Sequence, residues 1–190
     1  MLAGDWYTAD DEELRGLTQR AQRLAEQYAV IWKTDRMAAD EVLADLLGSL
    51  GEHTVIRPPL YVDYGVHIRI GARTFANFGL VALDVAEITI GDDVQIGPNV
   101  QLLTPVHPVE AEPRRSKLEA GKPISIGDNV WLGGGVIVCP GVTIGENTVV
   151  GAGAVVTRGL PANVLAVGNP ARVIRELRGM TTAGSQMPGV

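Results

Sequence analysis

Aliphatic residues recur at a spacing of six along two stretches of this chain: Ile90, Ile96 and Leu102, then Ile126, Leu132, Val138, Ile144, Val150 and Val156. A glycine follows at Gly91, Gly97, Gly127, Gly133, Gly145 and Gly151. Four residues after each leading aliphatic stands a second small or aliphatic residue: Val94, Val100, Val130, Val136, Val142, Thr148 and Ala154. A weaker copy begins at Ile70-Gly71 and runs through Thr74. A period of six drifts out of phase with an α-helix, and it lacks the strict alternation of a long strand. Short strands joined by tight bends satisfy it. One aliphatic of each unit then points inward, and the glycine is expected at the bend, where positive φ costs it little. Three units close a triangular turn, and stacked turns pile equivalent residues into apolar columns. The pattern predicts a mainly β chain wound as a parallel β-helix, a solenoid whose turns contact only their neighbours.

Two segments break the period. Residues 104–123 carry Thr104-Pro105-Val106-His107-Pro108, a charged stretch and Gly121-Lys122-Pro123, and are expected to leave the coil as a long excursion loop. Gly168-Asn169-Pro170-Ala171-Arg172-Val173-Ile174-Arg175 is expected to leave it through a proline turn. The N-terminal fifty residues read differently. Asp10 or Asp11 can cap a helix whose apolar face is Leu14, Leu17, Ala21, Leu24, Tyr28 and Ile31. A second helix is expected from about Asp35, using Leu43, Leu46, Leu47 and Leu50 and ending at Gly48 or Gly51. The chain divides accordingly into an N-terminal helical cap (1–52), a coil with its loop and C-terminal extension (53–178) and a flexible tail (179–190).

Composition narrows the function. The net charge of −6 argues against a general nucleic-acid binder, which needs a basic face. No apolar run is long enough to span a bilayer, and Met1–Thr8 has neither the basic nor the apolar region of a secretory signal, so no membrane association is expected. One cysteine, Cys139, allows no intrachain disulfide and suits a cytoplasmic, reducing setting. Aromatics make up only 5%, which fits a core built from many small repeated layers.

Several segments resemble the maltose, galactoside and nodulation-factor O-acetyltransferases. They are Phe75-Ala76-Asn77-Phe78, Pro98-Asn99-Val100, His107-Pro108, the run Gly121–Gly133, and Gly168-Asn169-Pro170-Ala171-Arg172. Leu2-Ala3-Gly4, Tyr7, the Asp11–Leu14 segment, Arg57-Pro58-Pro59 and Asp63-Tyr64-Gly65 also match, so the similarity covers roughly residues 2 to 178. The resemblance implies a left-handed coil and a homotrimer with active sites between subunits. It also implies direct transfer of an acetyl group from acetyl-CoA to a sugar hydroxyl, with no metal and no covalent enzyme intermediate.

That chemistry needs a base for the attacking hydroxyl, donors for the oxyanion and a groove for the coenzyme. Of His53, His67 and His107, only His107 lies in the long interruption, flanked by Pro105 and Pro108, and it is the candidate catalytic base. His67 reads as structural and His53 as a solvated cap near a helix end. Asn77 has two readings. It is either one rung of an asparagine ladder or, as the resemblance implies, a catalytic residue that orients substrate or steadies the transition state. Asp84 belongs either at the sugar or at a solvated turn; the galactoside branch carries an acid one position later, where this chain has Val85. Tyr7, Asp11 and Arg20 lie in the segment that resembles the family's acceptor-binding cap, with Asp11 the candidate substrate contact. Arg114 and Glu119 match family positions, and Glu119 is read as orienting His107, as touching a substrate hydroxyl, or as a solvated charge.

For acetyl-CoA the resemblance implies Gly134 as an oxyanion-donating amide, Ala152 lining the pantetheine slot, Thr157 and Arg158 in the next layer, and Arg172 and Arg175 at the adenosine phosphates. For those two arginines the alternative is an ordinary charged helix face. Trp131 flanks the site or packs at a subunit interface, and Cys139 reads as a small core hydrophobe. The competing functions are a serine or xenobiotic acetyltransferase on the same coil, a zinc-dependent carbonic anhydrase of similar fold, and a non-catalytic β-helix scaffold.

Overall fold

The computed structural model describes residues 1–177; the expected tail at 179–190 lies outside them. Short strands stack in parallel into sheets of five, seven and five strands that form the faces of a prism. The first face contains Ser49–Leu50, Ile68–Ile70, Ile88–Ile90, Ile124–Ile126 and Thr143–Ile144. The second runs from Val55–Ile56 through Phe75–Ala76, Gln95–Ile96, Trp131–Leu132 and Val149–Val150 to Val164–Val167 and the antiparallel strand Arg172–Glu176. The third contains Leu60–Val62, Leu80–Leu83, Gln101–Leu103, Ile137–Val138 and Val155–Val156. The chain visits the faces in that order at every turn. This is the parallel stacked coil that the six-residue period predicts.

The inward column of aliphatics is buried throughout, Ile96, Leu102, Leu132, Val138, Ile144, Val150 and Val156 among them. Thr148 enters the same interior, and its hydroxyl donates to the Pro161 carbonyl at 2.7 Å. The outward columns differ by face. On the first face Ser49, Arg69, Thr89, Ser125 and Thr143 lie in register. On the third, Tyr61, Val81, Gln101, Ile137 and Val155 do. One outer face is hydroxylated and charged; the other is mostly apolar.

The repeat glycines serve a different purpose from the one expected. Gly91, Gly97, Gly127 and Gly133 do not have positive φ. The left-handed residue comes two positions later, as Asp93, Asn99, Asn129 and Gly135, where Asn and Asp tolerate αL better than most side chains. The repeat glycine is needed because coils touch there. A Cβ on Gly127 would lie 2.7 Å from the Glu146 nitrogen, and one on Gly133 would lie 2.6 Å from the Ala152 nitrogen. At the edge between the first and second faces, Asn129 donates to Asn147 at 2.9 Å and Asn147 to Asn163 at 3.1 Å, so an asparagine ladder exists, but not at Asn77. His53 is one of the left-handed residues at this same edge, rather than a helix cap.

Helix α1 spans Glu12–Ile31 and is capped by Asp11, whose carboxylate accepts from the Glu13 amide at 2.7 Å. Helix α2 spans Arg36–Leu46 and is capped by Asp35. It stops before Leu50, which instead ends the first coil strand of the first face. The two helices cover the N-terminal end of the coil, with Tyr28 wholly buried and its hydroxyl donating to the Ile56 carbonyl. Arg20 donates to the Asp45 carbonyl near the end of α2, which ties the helices together. Among the described residues no helix is long and apolar enough to cross a membrane.

Candidate active site

The excursion folds into a small sheet of its own. Pro105–Val106 pairs antiparallel with Leu118–Gly121, and the amide of Lys122 closes the base on the Thr104 carbonyl at 2.9 Å. Between the two strands a short helix α3, Ala111–Arg115, makes the return. The N-terminal segment supplies a third strand: Tyr7 pairs with Glu119 and Thr8 with Leu118.

His107 follows the first of these strands. Its Nδ1 lies 3.1 Å from the Leu118 carbonyl oxygen. A carbonyl can only accept, so the proton of this bond sits on Nδ1 and the Nε2 lone pair is left free. Arg114 steadies the turn beyond, donating to the carbonyls of Pro108 at 3.1 Å and Val109 at 2.6 Å. The Glu119 carboxylate is turned elsewhere: it accepts from the Tyr7 hydroxyl at 3.0 Å. A backbone carbonyl, not Glu119, therefore holds the imidazole. In front of His107 opens a cavity of about 590 Å³ walled by Thr8, Asp10, Arg114, Lys117 and Glu119. The aspartate on this wall is Asp10 rather than Asp11, which is occupied with capping α1.

Asp84 does not reach the cavity as an acceptor contact. It is wholly buried, and its carboxylate accepts from the amides of Asp63 (3.1 Å), Tyr64 (2.9 Å) and His67 (3.1 Å). It holds the 63–67 loop in place, and His67 completes the cluster with Nδ1 2.7 Å from the Asp84 carbonyl. The acid left over is Asp63. Its Oδ2 is buried without a hydrogen-bond partner, and burial together with the nearby Asp84 and Glu119 charges pushes its carboxyl up to about 6. Burial and the same Glu119 carboxylate also push the Tyr7 hydroxyl upward. Sequence reasoning had Asp63 only as part of a matching motif; its place one coil before Asp84 on the same edge was the available signal.

The raised Asp63 has a measurable consequence. Because its folded-state value lies above the ordinary 3.8, the fold favours the protonated form. Its contribution is greatest below about pH 4 and is lost as pH rises to about 6. Asp63→Asn is expected to gain about 1–2 kcal/mol at pH 7.5, after allowance for solvent screening, and nothing below pH 4. Urea unfolding at both pH values checks this. An equal change at both would sink it.

The remaining candidates fall on two edges of the prism. Thr157 and Arg158 follow a third-face strand, on the same edge as His107, and are exposed. Asn77, Gly134 and Ala152 follow second-face strands and lie on the opposite edge of the third face. There Asn77 Oδ1 accepts from the Phe78 amide at 2.9 Å, leaving its NH2 free to donate. A Cβ at Gly135 or Gly153, beside Gly134 and Ala152, would meet nothing within 4 Å, so this edge is open. Among the described residues the Gly134 and Ala152 amides donate to no acceptor.

Arg172 and Arg175 lie on the last strand of the second face, not on a helix. Residues three apart on a regular strand point to opposite faces. Here a bulge intervenes, and Arg172 pairs with Val167 and Arg175 with Leu165. Both partners point outward beside the inward Ala166, so the two guanidinium groups share a side. Trp131 lies on the outer column of the second face, and half-buried Cys139 has its thiol pushed up by burial.

Comparison with known proteins matches this arrangement. The description "Maltose acetyltransferase hexapeptide capping motif" fits residues 1–51, and "Bacterial transferase hexapeptide (six repeats)" fits residues 123–158. Nodulation protein L of Rhizobium meliloti (strain 1021) is 47% identical over 91% of this chain and 94% of its own. The chain belongs to the maltose/galactoside/nodulation-factor O-acetyltransferase family. A crystal structure of a maltose O-acetyltransferase from Clostridium difficile 630 superposes on this hexapeptide acetyltransferase with a TM-score of 0.92, at 43% identity, covering 94% of this chain and 95% of the other. A hexapeptide-repeat acetyltransferase of Vibrio cholerae, solved in complex with acetyl coenzyme A, superposes with a TM-score of 0.88 at 38% identity, covering 94% and 97%.

Proposed function

We propose that this acetyltransferase moves the acetyl group of acetyl-CoA directly to a hydroxyl of a sugar, in a ternary complex, with His107 as general base. The observation that carries the reading is the imidazole itself: Nδ1 is held by the Leu118 carbonyl, and a polar cavity opens beside His107. Nε2 takes the proton of the acceptor hydroxyl as its oxygen bonds to the acetyl carbon. The carbon–sulfur bond breaks, and the coenzyme leaves as a thiol carrying that proton. The Asn77 NH2 and the Gly134 amide are the donors for the developing oxyanion. The open edge at Ala152 takes the pantetheine, Thr157 and Arg158 face it from the other edge, and Arg172 and Arg175 take the phosphates. On the acceptor side stand Glu119, Asn77 and Asp63, with Asp11 and Asp84 supporting them through α1 and the 63–67 loop.

The two edges bound the same face, which favours a homotrimer. If the apolar third face of each protomer turns inward around a three-fold axis, the His107 edge of one protomer lies beside the Gly134–Ala152 edge of the next. Such a head-to-tail contact between two different surfaces closes as a ring. The test is to incubate the protein with acetyl-CoA and a panel of sugars and amines, to follow thiol release, and to measure the mass in solution. Thiol release that no sugar hydroxyl accelerates would overturn the sugar reading, and a single-chain mass would count against the ring.

A further inference from the structure

We infer that Tyr7 is a positioning residue for the imidazole: the N-terminal strand, through the Tyr7 hydroxyl on Glu119, sets the direction of the Leu118 carbonyl that holds His107. The inference rests on the reading of His107 as the base. The link is covalent geometry. The Leu118 carbonyl and the Glu119 amide belong to one planar peptide unit, so whatever fixes Glu119 fixes the line along which that carbonyl accepts. Two contacts fix it from the N-terminal side. Tyr7 pairs with Glu119 and Thr8 with Leu118 in the antiparallel ladder, and the Tyr7 hydroxyl donates to Glu119 Oε1 at 3.0 Å.

The opposite flank of the same strand is held by Val106 and Pro105, which pair with Ala120 and Gly121 and lead directly into His107. The strand carrying Leu118 is therefore gripped on both sides, by the segment that bears the histidine and by a segment more than a hundred residues away in sequence. The ladder on the N-terminal side is only two residues long. A pair that short is weak by itself, so the Tyr7–Glu119 bond, a hydroxyl donating to a carboxylate, is the main fastening. Arg114 braces the turn after His107 through the carbonyls of Pro108 and Val109, and its side chain makes no hydrogen bond to Leu118 or Glu119. Without the fastening, the Leu118–Glu119 peptide is free to tilt. The imidazole then loses the acceptor that keeps its proton on Nδ1, and the population with a free, correctly aimed Nε2 falls.

Tyr7→Phe removes the hydroxyl alone. The expected result is a fall in kcat of about tenfold with the KM for acetyl-CoA unchanged. Slow hydrolysis of acetyl-CoA in the absence of acceptor is expected to fall by the same factor, because a displaced base serves water as badly as a sugar. Glu119→Ala cuts the other end of the bond, and the double variant is expected to be no worse than the poorer single variant. Independently of activity, NMR of protein with 15N-labelled histidine is expected to show His107 as a single Nδ1–H tautomer in the unsubstituted protein and as a mixture in Tyr7→Phe. An unchanged tautomer in Tyr7→Phe overturns the inference, and so does a rise in acceptor KM alone, which would make Tyr7 a mere wall of the cavity. If the unsubstituted protein releases no thiol, the acetyl-transfer reading fails instead, and if a His107→Asn variant stays active, the reading of His107 as the base fails. The tautomer measurement still decides the role of Tyr7.

Discussion

His107→Asn is expected to lower kcat for acceptor-stimulated thiol release by about 10²–10⁴-fold, the range that loss of a positioned general base produces. Asparagine can keep a donor near the Leu118 carbonyl, so the loop should hold its shape. What disappears is the lone pair of Nε2. Coenzyme binding should be spared, because Gly134 and Ala152 lie along the other edge of the third face, and Arg172 and Arg175 lie on the last strand of the second face. Isothermal titration with coenzyme A separates the two effects. A variant that binds the coenzyme normally and still transfers acetyl at near-normal rate would remove His107 from the mechanism.

Gly127→Ala is expected to be a costly single methyl in the coil. The added carbon would lie 2.7 Å from the Glu146 nitrogen and 3.0 Å from its Cα, in backbone that cannot rotate away. One coil must move off the next, at a cost of about 3 kcal/mol or more. Gly153→Ala is the control. Gly153 has φ +70°, but an added carbon meets nothing within 4 Å, so only the left-handed penalty of about 1–2 kcal/mol applies. Urea unfolding of both variants tests the assignment. A Gly127 variant no less stable than the Gly153 variant would show that coil spacing does not depend on that glycine.

The coil was legible because its signal is one-dimensional. Each turn repeats the same inward aliphatics, so a period read along the chain already describes the packing between turns. The purpose of the glycines was not legible in the same way. Their constraint is set by the next coil, which at Gly127 begins some eighteen residues later, and a single unit viewed alone suggests only a bend. The left-handed residues were written openly as Asp93, Asn99 and Asn129, yet without the backbone they look like ordinary polar loop residues.

The site was legible in its side chains and hidden in its main chain. His107 could be singled out because it stands in the interruption. Its partner could not, because a carbonyl oxygen has no letter in the sequence, and Glu119 next door drew the role instead. Asp84 and Asp63 exchanged parts for a related reason. Which of two acids is satisfied depends on which one a loop of three amides wraps around. The shared side of Arg172 and Arg175 depends on one extra residue in a strand, which no spacing rule anticipates.

The contact between Tyr7 and Glu119 spans 112 positions of the chain, whereas neighbouring coils join residues about twenty apart, and 36 apart where the excursion intervenes, as at Ile88 and Ile124. Loop closure over the longer distance is entropically dearer and gains only a two-residue ladder and one side-chain bond. The solenoid can therefore assemble turn by turn before the loop that carries His107 is fastened. Closing that loop is then expected to be a late and separable event in folding, and the fastening is expected to open first when the protein breathes.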